Sequence, residues 1–152
     1  MNYPEPTPVT EDYLKAIYLL AEESQPVIAA RVAEEIGVSP STMFSALRRL
    51  EKEGYARVER RKDIRLTTKG KKVAETILRR HFLTERFLTA LLGLDWVSAH
   101  QEAHRMEHVI SPTVERKLAE VLHHPTTGPH GNPTPDEGNP PLKHRGLPLS
   151  SM

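Results

Sequence analysis

Two short helical segments separated by a glycine, and followed by two short alternating segments, constrain the fold of this chain most. The first helix is predicted over residues 28–36 and ends at Gly37, and the next begins after Ser39 with Pro40 at its first position. After Gly54 the periodicity changes to that of strands, over residues 55–60 and 64–66, around the polar turn 61–63. This order of helix, turn, helix and β-hairpin predicts a winged helix-turn-helix unit.

The remaining periodic segments predict further helices, so the fold class is mainly α with a small β-hairpin wing. Apolar residues recur at helical spacing over residues 10–22, 69–92, 95–110 and 111–124. Thr10 and Thr68 are the predicted N-caps of the first and the longest of these helices. From residue 125 onward the 28 residues contain 7 Pro and 4 Gly and have no periodic apolar pattern, which predicts a flexible tail.

The charge is distributed unevenly along the 152 residues, although the net charge is only +1. Residues 40–80 carry 13 Lys and Arg against 5 Asp and Glu, which indicates a segment that meets a polyanion. The chain contains no cysteine, so a disulfide, a thiolate metal site and a cysteine nucleophile are excluded. No apolar run approaches the roughly 18 residues of a membrane span, and the acidic, Pro-rich start is unlike a signal peptide, so we expect a cytoplasmic protein.

The helix that begins after Ser39 and the hairpin that follows it together predict a DNA-binding surface. A recognition helix places its N-terminal side chains at base edges, while cations neutralise phosphates. The predicted contacts on the helix are Ser39, Pro40, Ser41, Thr42, Ser45, Arg48 and Arg49. Those in the wing are Arg60, Arg61 and Lys62, with Arg65 beside them. The alternative is a module that uses the same fold to bind another protein.

A second group of residues predicts a metal site. His100, His104, Glu107 and His108 are spaced so that they share one face of a helix, and His81 and Glu85 lie one turn apart on another. Imidazole and carboxylate groups are ligands of first-row divalent metals. Two alternatives stay open: surface or hydrogen-bonded structural histidines, and a zinc hydrolase, although the HExxH order of many catalytic zinc sites is absent.

These stretches resemble the iron- and manganese-dependent repressors typified by the diphtheria toxin repressor and the manganese transport regulators. The matching segments are TEDYLKAIYLL (10–20), VSPSTMFSALRRLEKEGY (38–55), LTTKGKKVA (66–74), RRHFLTERFL (79–88) and HQEAHRMEHVIS (100–111). The resemblance implies a winged-helix domain joined to a helical dimerisation and metal-binding domain. It implies a primary metal site of Asp12, His104, Glu107 and His108, and an ancillary site of His81, Glu85 and His100.

The departures from the family pattern bear on the metal. Asp12 stands where iron-type members commonly have Met, and His104 stands where they often have Cys. Lys15 replaces a carboxylate of the manganese-type binuclear site, so two spaced sites are expected instead of a close metal pair. This harder donor set favours Mn²⁺, with Fe²⁺ next, while Zn²⁺, Co²⁺ or Cd²⁺ can substitute in vitro.

The resemblance therefore implies a homodimeric repressor of manganese or iron homeostasis genes that binds a palindromic double-stranded operator, with the metal as co-repressor and no enzymatic activity. A zinc-binding hydrolase and a metal-independent winged-helix DNA-binding protein are the alternatives. The expected domains are the DNA-binding domain (1–74), the metal-binding and dimerisation domain (75–124) and the tail (125–152). Residues 129–133 resemble the linker to an SH3-like domain, which is expected to be absent together with any ancillary ligands it would supply.

Overall fold

A computed structural model describes residues 5–124, which form two compact units divided between Ala74 and Glu75. The helices are α1 (Pro8–Ala21), α2 (Ala29–Ile36), α3 (Pro40–Lys52), α4 (Thr68–Ala90), α5 (Trp96–Met106) and α6 (Pro112–Val121). The strands are β1 (Ala56–Val58) and β2 (Ile64–Leu66), with a single 3₁₀ turn, Arg60–Lys62, between them. This architecture confirms the predicted fold class. The tail, including residues 129–133, lies outside the described residues.

The first unit is organised around an apolar core to which its helices and both strands contribute. Side chains that are almost completely buried come from α1, α2, α3 and β2: Leu14, Ile17, Val32, Met43, Leu50 and Ile64. Removal of such side chains from water is the main stabilising contribution to a small domain. The core therefore fixes α3 and the wing on one scaffold.

The turn between α2 and α3 follows the sequence closely. Gly37 ends α2 with a φ of +83°, a left-handed conformation that glycine adopts without strain. The Ser39 hydroxyl oxygen accepts a hydrogen bond from the Thr42 backbone N–H at 3.2 Å, and Pro40 occupies the first turn of α3. Both predicted helix signals are confirmed here.

The wing is a short antiparallel hairpin in which Ala56 pairs with Leu66 and Val58 with Ile64. It is tied to the segment before α2, because the Ile64 N–H donates to the Val27 carbonyl at 2.8 Å and the Val27 N–H donates to Asp63 at 3.0 Å. The first strand ends at Val58, so the predicted extension to residue 60 is wrong. The 3₁₀ turn takes over there, and Arg61 and Lys62 adopt left-handed φ angles of 64° and 61°.

Two predicted N-caps are wrong by one turn or less. Thr7, not Thr10, caps α1, because its hydroxyl accepts from the Thr10 N–H at 3.2 Å and Pro8 begins the helix. Thr67, not Thr68, plays this part in α4, since its hydroxyl accepts from the Gly70 N–H at 3.1 Å. In both cases the helix begins before the first residue of its apolar stripe, so a threonine earlier in the sequence serves as the cap.

Gly70 sits at a close approach between α4 and the start of the hairpin. It is buried, and an added Cβ would lie 2.0 Å from the carbonyl oxygen of Tyr55. That oxygen also accepts a hydrogen bond from the Thr67 N–H at 3.0 Å. The absence of a side chain at Gly70 therefore lets the helix begin against the Tyr55 backbone.

The second unit contains the rest of α4 together with α5 and α6. Asp95 caps α5 by accepting from the Ser98 N–H at 2.9 Å, and Ser111 caps α6 in the same way at 3.2 Å. Glu115 of α6 accepts from Arg79 at 2.9 Å and from Arg80 at 2.7 Å, which holds α6 to α4.

Three helix ends fall short of their predicted limits. Helix α4 ends at Ala90 instead of residue 92, near Gly93 with a φ of +69°. Helix α5 ends at Met106 instead of residue 110, and α6 at Val121 instead of 124, where His123 and His124 adopt left-handed φ angles.

No helix within residues 5–124 is both long and apolar enough to cross a membrane.

Candidate metal centres and nucleic-acid interface

The first cluster of potential ligands joins α4 to α5. His81 and Glu85 lie one turn apart on α4, and both side chains are buried among the helices of the second unit. His81 Nε2 contacts Glu85 Oε1, and Nδ1 of His100, from α5, lies 2.7 Å from the same oxygen and 3.2 Å from His81 Nε2. The His100 side chain is exposed, so the cluster is open to solvent on one side. The structure thus brings the three predicted ancillary ligands together.

The second cluster lies at the end of α5. Oε1 of Glu107 is 3.1 Å from His104 Nδ1 and 3.6 Å from His108 Nε2. One potential ligand atom of each of the three residues lies within 4.8 Å of the others. Although α5 ends at Met106, Glu107 keeps helical backbone angles, so its side chain still projects from the same face. The structure brings together these three predicted primary ligands.

A single carboxylate connects the two clusters. Glu107 is completely buried, and while its Oε1 faces His104 and His108, its Oε2 lies 2.8 Å from His81 Nδ1. The two ring nitrogens of His81 therefore serve different neighbours, Nδ1 facing Glu107 and Nε2 facing the first cluster. Metal-binding histidines in proteins commonly donate their second ring N–H to a carboxylate in this manner.

Burial and charge act in opposite directions on the buried groups. Burial alone lowers the pKa of His81, but the hydrogen bonds and charges of Glu107 and Glu85 outweigh it and raise the pKa above its usual value. Burial tends to raise the pKa of Glu85, yet His81 and His100 leave it lowered. The cluster without metal therefore favours a protonated His81 beside an ionised Glu85.

Asp12, the fourth predicted primary ligand, belongs to the first unit. It lies in the first half of α1, and its side chain is partly buried, as is that of Lys15 one turn later. His123 and His124 follow α6 and are exposed. His130 and His144 lie outside the described residues.

The donors of both clusters fit a divalent transition metal. Each offers imidazole nitrogen and carboxylate oxygen, and neither has sulfur. This mixture suits first-row ions such as Mn²⁺, Fe²⁺, Co²⁺ and Zn²⁺. The contact from His81 Nδ1 to Glu107 also orients the ring so that Nε2 points at the other two donors.

The predicted DNA contacts lie on exposed parts of the first unit. All of the residues predicted on α3 and in the wing are exposed: Ser39, Pro40, Ser41, Thr42, Ser45, Arg48, Arg49, Arg60, Arg61 and Lys62. The Ser39 hydroxyl is engaged in the helix cap and also donates to Thr42 Oγ1 at 3.0 Å, which makes it a helix-positioning group.

Sequence reasoning missed one exposed residue on this surface, Phe44. Its side chain is 62% exposed, although an aromatic residue in an amphipathic helix is usually assigned to the core. The available signal was its position, since Phe44 lies beside the buried Met43 and three residues after Ser41, on the hydroxyl-bearing side.

The chain combines a winged helix, whose recognition helix is basic and exposed, with two His–carboxylate clusters. This combination places it in the class of metal-binding winged-helix proteins. The chain belongs to the iron-dependent repressor family. The family's N-terminal DNA binding domain matches residues 6–64, and its metal binding and dimerisation domain matches residues 67–136. The resemblance inferred from the sequence is confirmed.

Individual relatives agree with this assignment. The chain is 45% identical to the iron-dependent repressor IdeR of Mycobacterium leprae over 126 residues, covering 83% of this chain and 55% of the relative. It is 42% identical to the diphtheria toxin repressor of Corynebacterium efficiens, with the same two coverages. The solved structure of a manganese-dependent transcriptional repressor complex with manganese matches 90% of this chain and 63% of its own, with a TM-score of 0.81 and 34% identity. The chain thus spans about half the length of these curated relatives.

Proposed function

We propose that this protein is a metal-dependent transcriptional repressor of manganese or iron homeostasis genes, with a divalent metal as co-repressor. The observation that carries the proposal is the pair of His–carboxylate clusters that meet at Glu107, in a chain whose winged helix exposes a basic recognition surface. The proposal extends to this chain what the names of its relatives say of those proteins.

We further propose that His104, Glu107 and His108 form the primary site with Asp12, and that His81, Glu85 and His100 form the ancillary site. The assignment of Asp12 rests on the likeness of its helix to the family, because α1 belongs to the DNA-binding unit. A ligand contributed by that unit would make its orientation depend on metal. To shift the DNA-binding unit from 1% to 99% in the orientation that binds DNA, the metal must bind that orientation about 5.5 kcal/mol more tightly than the others.

For the metal, we propose Mn²⁺, with Fe²⁺ next. The proposed primary site has two carboxylates, two imidazoles and no soft sulfur ligand, which suits a harder ion. Zn²⁺, Co²⁺ and Cd²⁺ are expected to bind in vitro, since affinity for such sites rises from Mn²⁺ towards Cu²⁺ for most donor sets.

The experiment is a fluorescence anisotropy titration of the full chain on duplexes from the promoters of metal-transporter genes. We expect Mn²⁺ or Fe²⁺ to raise the specific affinity and a chelator to reverse the rise. Equal specific affinity with and without chelator would support a metal-independent DNA-binding protein. Zinc-dependent turnover of ester or peptide substrates that is lost in His104→Ala would support the hydrolase.

The wing should contribute mainly through phosphate contacts. Replacing Arg60, Arg61 and Lys62 together by alanine is expected to weaken DNA binding roughly tenfold to a hundredfold at low salt. The slope of log affinity against log salt concentration should fall by about 2 to 3, since each phosphate contact contributes about 0.9. The control replaces Arg105, Arg116 and Lys117, exposed cations of the second unit. An equal loss in both triple variants would contradict a local role for the wing.

We propose that the protein is a homodimer that binds a palindromic operator. Large apolar side chains are exposed where α4 gives way to α5: Leu91, Leu92, Trp96 and Val97. The matched family domain is described as one of dimerisation, and exposed apolar patches commonly mark such interfaces.

Trp96 offers a test of the dimer. Trp96→Asp is expected to shift the protein from dimer to monomer in analytical ultracentrifugation, because it places a charge in an apolar interface without touching the core. Val9→Asp, at an exposed apolar position of α1, should leave the dimer intact. A Trp96→Asp protein that remains dimeric would place the interface elsewhere.

The raised pKa of His81 predicts that metal binding at the ancillary site releases a proton. Because the metal-free protein holds this proton to a higher pH than ordinary histidine does, affinity should fall as the pH drops below the raised pKa. Calorimetric titrations in buffers of different ionisation enthalpy measure the release. In His81→Gln this portion of the buffer dependence should vanish; its persistence would assign the proton to another group.

A further inference from the structure

The exposed ring of Phe44 lies within the predicted DNA-reading surface of α3. Ser41, Phe44, Ser45 and Arg48 are all exposed, and their spacing places them on one face of the helix, away from the buried Met43 and Leu50. No other large apolar residue of the first unit within the described residues is as exposed as Phe44. The ring therefore lies in the middle of the face that meets DNA under the proposed function.

The surroundings of Phe44 argue against a general apolar docking patch. Its neighbours on the exposed face are two hydroxyl side chains and an arginine, so the ring stands alone. The guanidinium carbon of Arg48 lies 5.8 Å from the ring centroid, within the range of a cation–π contact. This contact favours a fixed direction for the ring and holds a positive charge next to it, which suits a polyanionic partner.

The major groove of DNA offers a matching apolar group. Thymine carries a C5 methyl group there, which cytosine lacks, and apolar side chains, including phenylalanine, read thymine by contact with this methyl. Recognition helices make such contacts from their N-terminal half, and Phe44 is the fifth residue of α3.

We propose that Phe44 is a specificity-determining residue that contacts a thymine methyl group in the major groove and selects thymine at one position of each half-site. The proposal rests on the DNA binding in the proposed function and adds a base preference to it. Arg48 serves as a positioning residue, because its guanidinium lies in cation–π range of the ring.

The test begins with duplexes that the metal-loaded protein selects from a random library. Each thymine of a selected duplex is then replaced in turn by deoxyuridine, which removes only the methyl group, and affinities are measured by fluorescence anisotropy. For the wild type, we expect one position per half-site at which deoxyuridine weakens binding about threefold to fivefold, the effect of burying one methyl group. In Phe44→Ala this sensitivity should disappear, while Phe44→Leu should keep part of it.

Val9→Ala, which shortens an exposed apolar side chain of α1, is the matched control and should retain the full deoxyuridine effect. Thermal unfolding of each variant confirms that the fold is kept, as expected for an exposed position. Equal sensitivity to deoxyuridine in the wild type and Phe44→Ala at every thymine would overturn the proposal, as would a wild type that is sensitive at none. Failure to select any sequence would instead count against the proposed function.

Discussion

Glu107→Gln is expected to abolish the metal-dependent rise in DNA affinity. The substitution keeps the size of a completely buried side chain but removes the negative charge that faces His104, His108 and His81. Loss of supporting groups around a metal site already costs tenfold to a hundredfold in affinity. Loss of Glu107, the proposed primary ligand that also contacts His81 of the other cluster, should therefore cost about a hundredfold or more. Calorimetric Mn²⁺ titration and DNA anisotropy on the same preparation measure both effects.

Glu102→Gln is the matched control for this experiment. Glu102 lies on α5, the helix that Glu107 follows, and makes an ion pair with Arg105 at 3.3 Å. The Arg105 side chain is largely exposed and that of Glu102 is nearly half exposed. Exposed pairs of this kind contribute little to stability, so metal and DNA affinity should be unchanged in Glu102→Gln.

The weak, salt-dependent DNA binding of metal-free protein should survive in Glu107→Gln. A normal metal response in Glu107→Gln would refute the proposed role of Glu107.

Gly70→Ala is expected to destabilise the DNA-binding unit strongly. Alanine favours a helix by about 1 kcal/mol over glycine, so the change would be stabilising if only helix propensity mattered. The new Cβ, however, would lie 2.0 Å from the Tyr55 carbonyl oxygen, and a backbone atom cannot move aside as a side chain can. Overpacking typically costs about 1–3 kcal/mol, and a clash with backbone belongs at the upper end, so the net loss should be about 2 kcal/mol.

Urea unfolding of the full, metal-free chain measures this loss. Lys71→Ala, at the next and exposed position of α4, should change the free energy of unfolding by no more than about 0.5 kcal/mol. If Gly70→Ala were as stable as the wild type or more stable, helix propensity would outweigh the contact with Tyr55, and the close packing of α4 against the hairpin would not be required.

The sequence was sufficient to predict the parts of the fold that depend on local chemistry. Gly37, Ser39 and Pro40 determine the turn between α2 and α3 through backbone preferences that act within a few residues. The His and Glu positions were also predictable, because helical spacing alone places His81 one turn before Glu85 and His100 one turn before His104.

Features that depend on residues distant in the chain were not predictable in this way. The contact between His81 and Glu107 spans 26 residues and emerges only when α4 packs beside α5. Gly70 reads in the sequence as an ordinary weak point of a helix, whereas its importance comes from the Tyr55 backbone fifteen residues earlier. Phe44 was overlooked because the sequence alone does not show whether the helix face that carries an apolar residue packs against another element or is exposed.

The tip of the wing carries a conformational cost for its charge. Arg61 and Lys62 occupy left-handed backbone conformations, which are roughly 1–2 kcal/mol unfavourable for residues with a Cβ and which glycine adopts freely. If these two cations contact phosphates as proposed, keeping them at these positions lowers folding stability in exchange for electrostatic attraction to DNA. A laboratory selection for thermal stability alone should therefore drift towards glycine or asparagine at the tip, and weaken DNA binding as it does so.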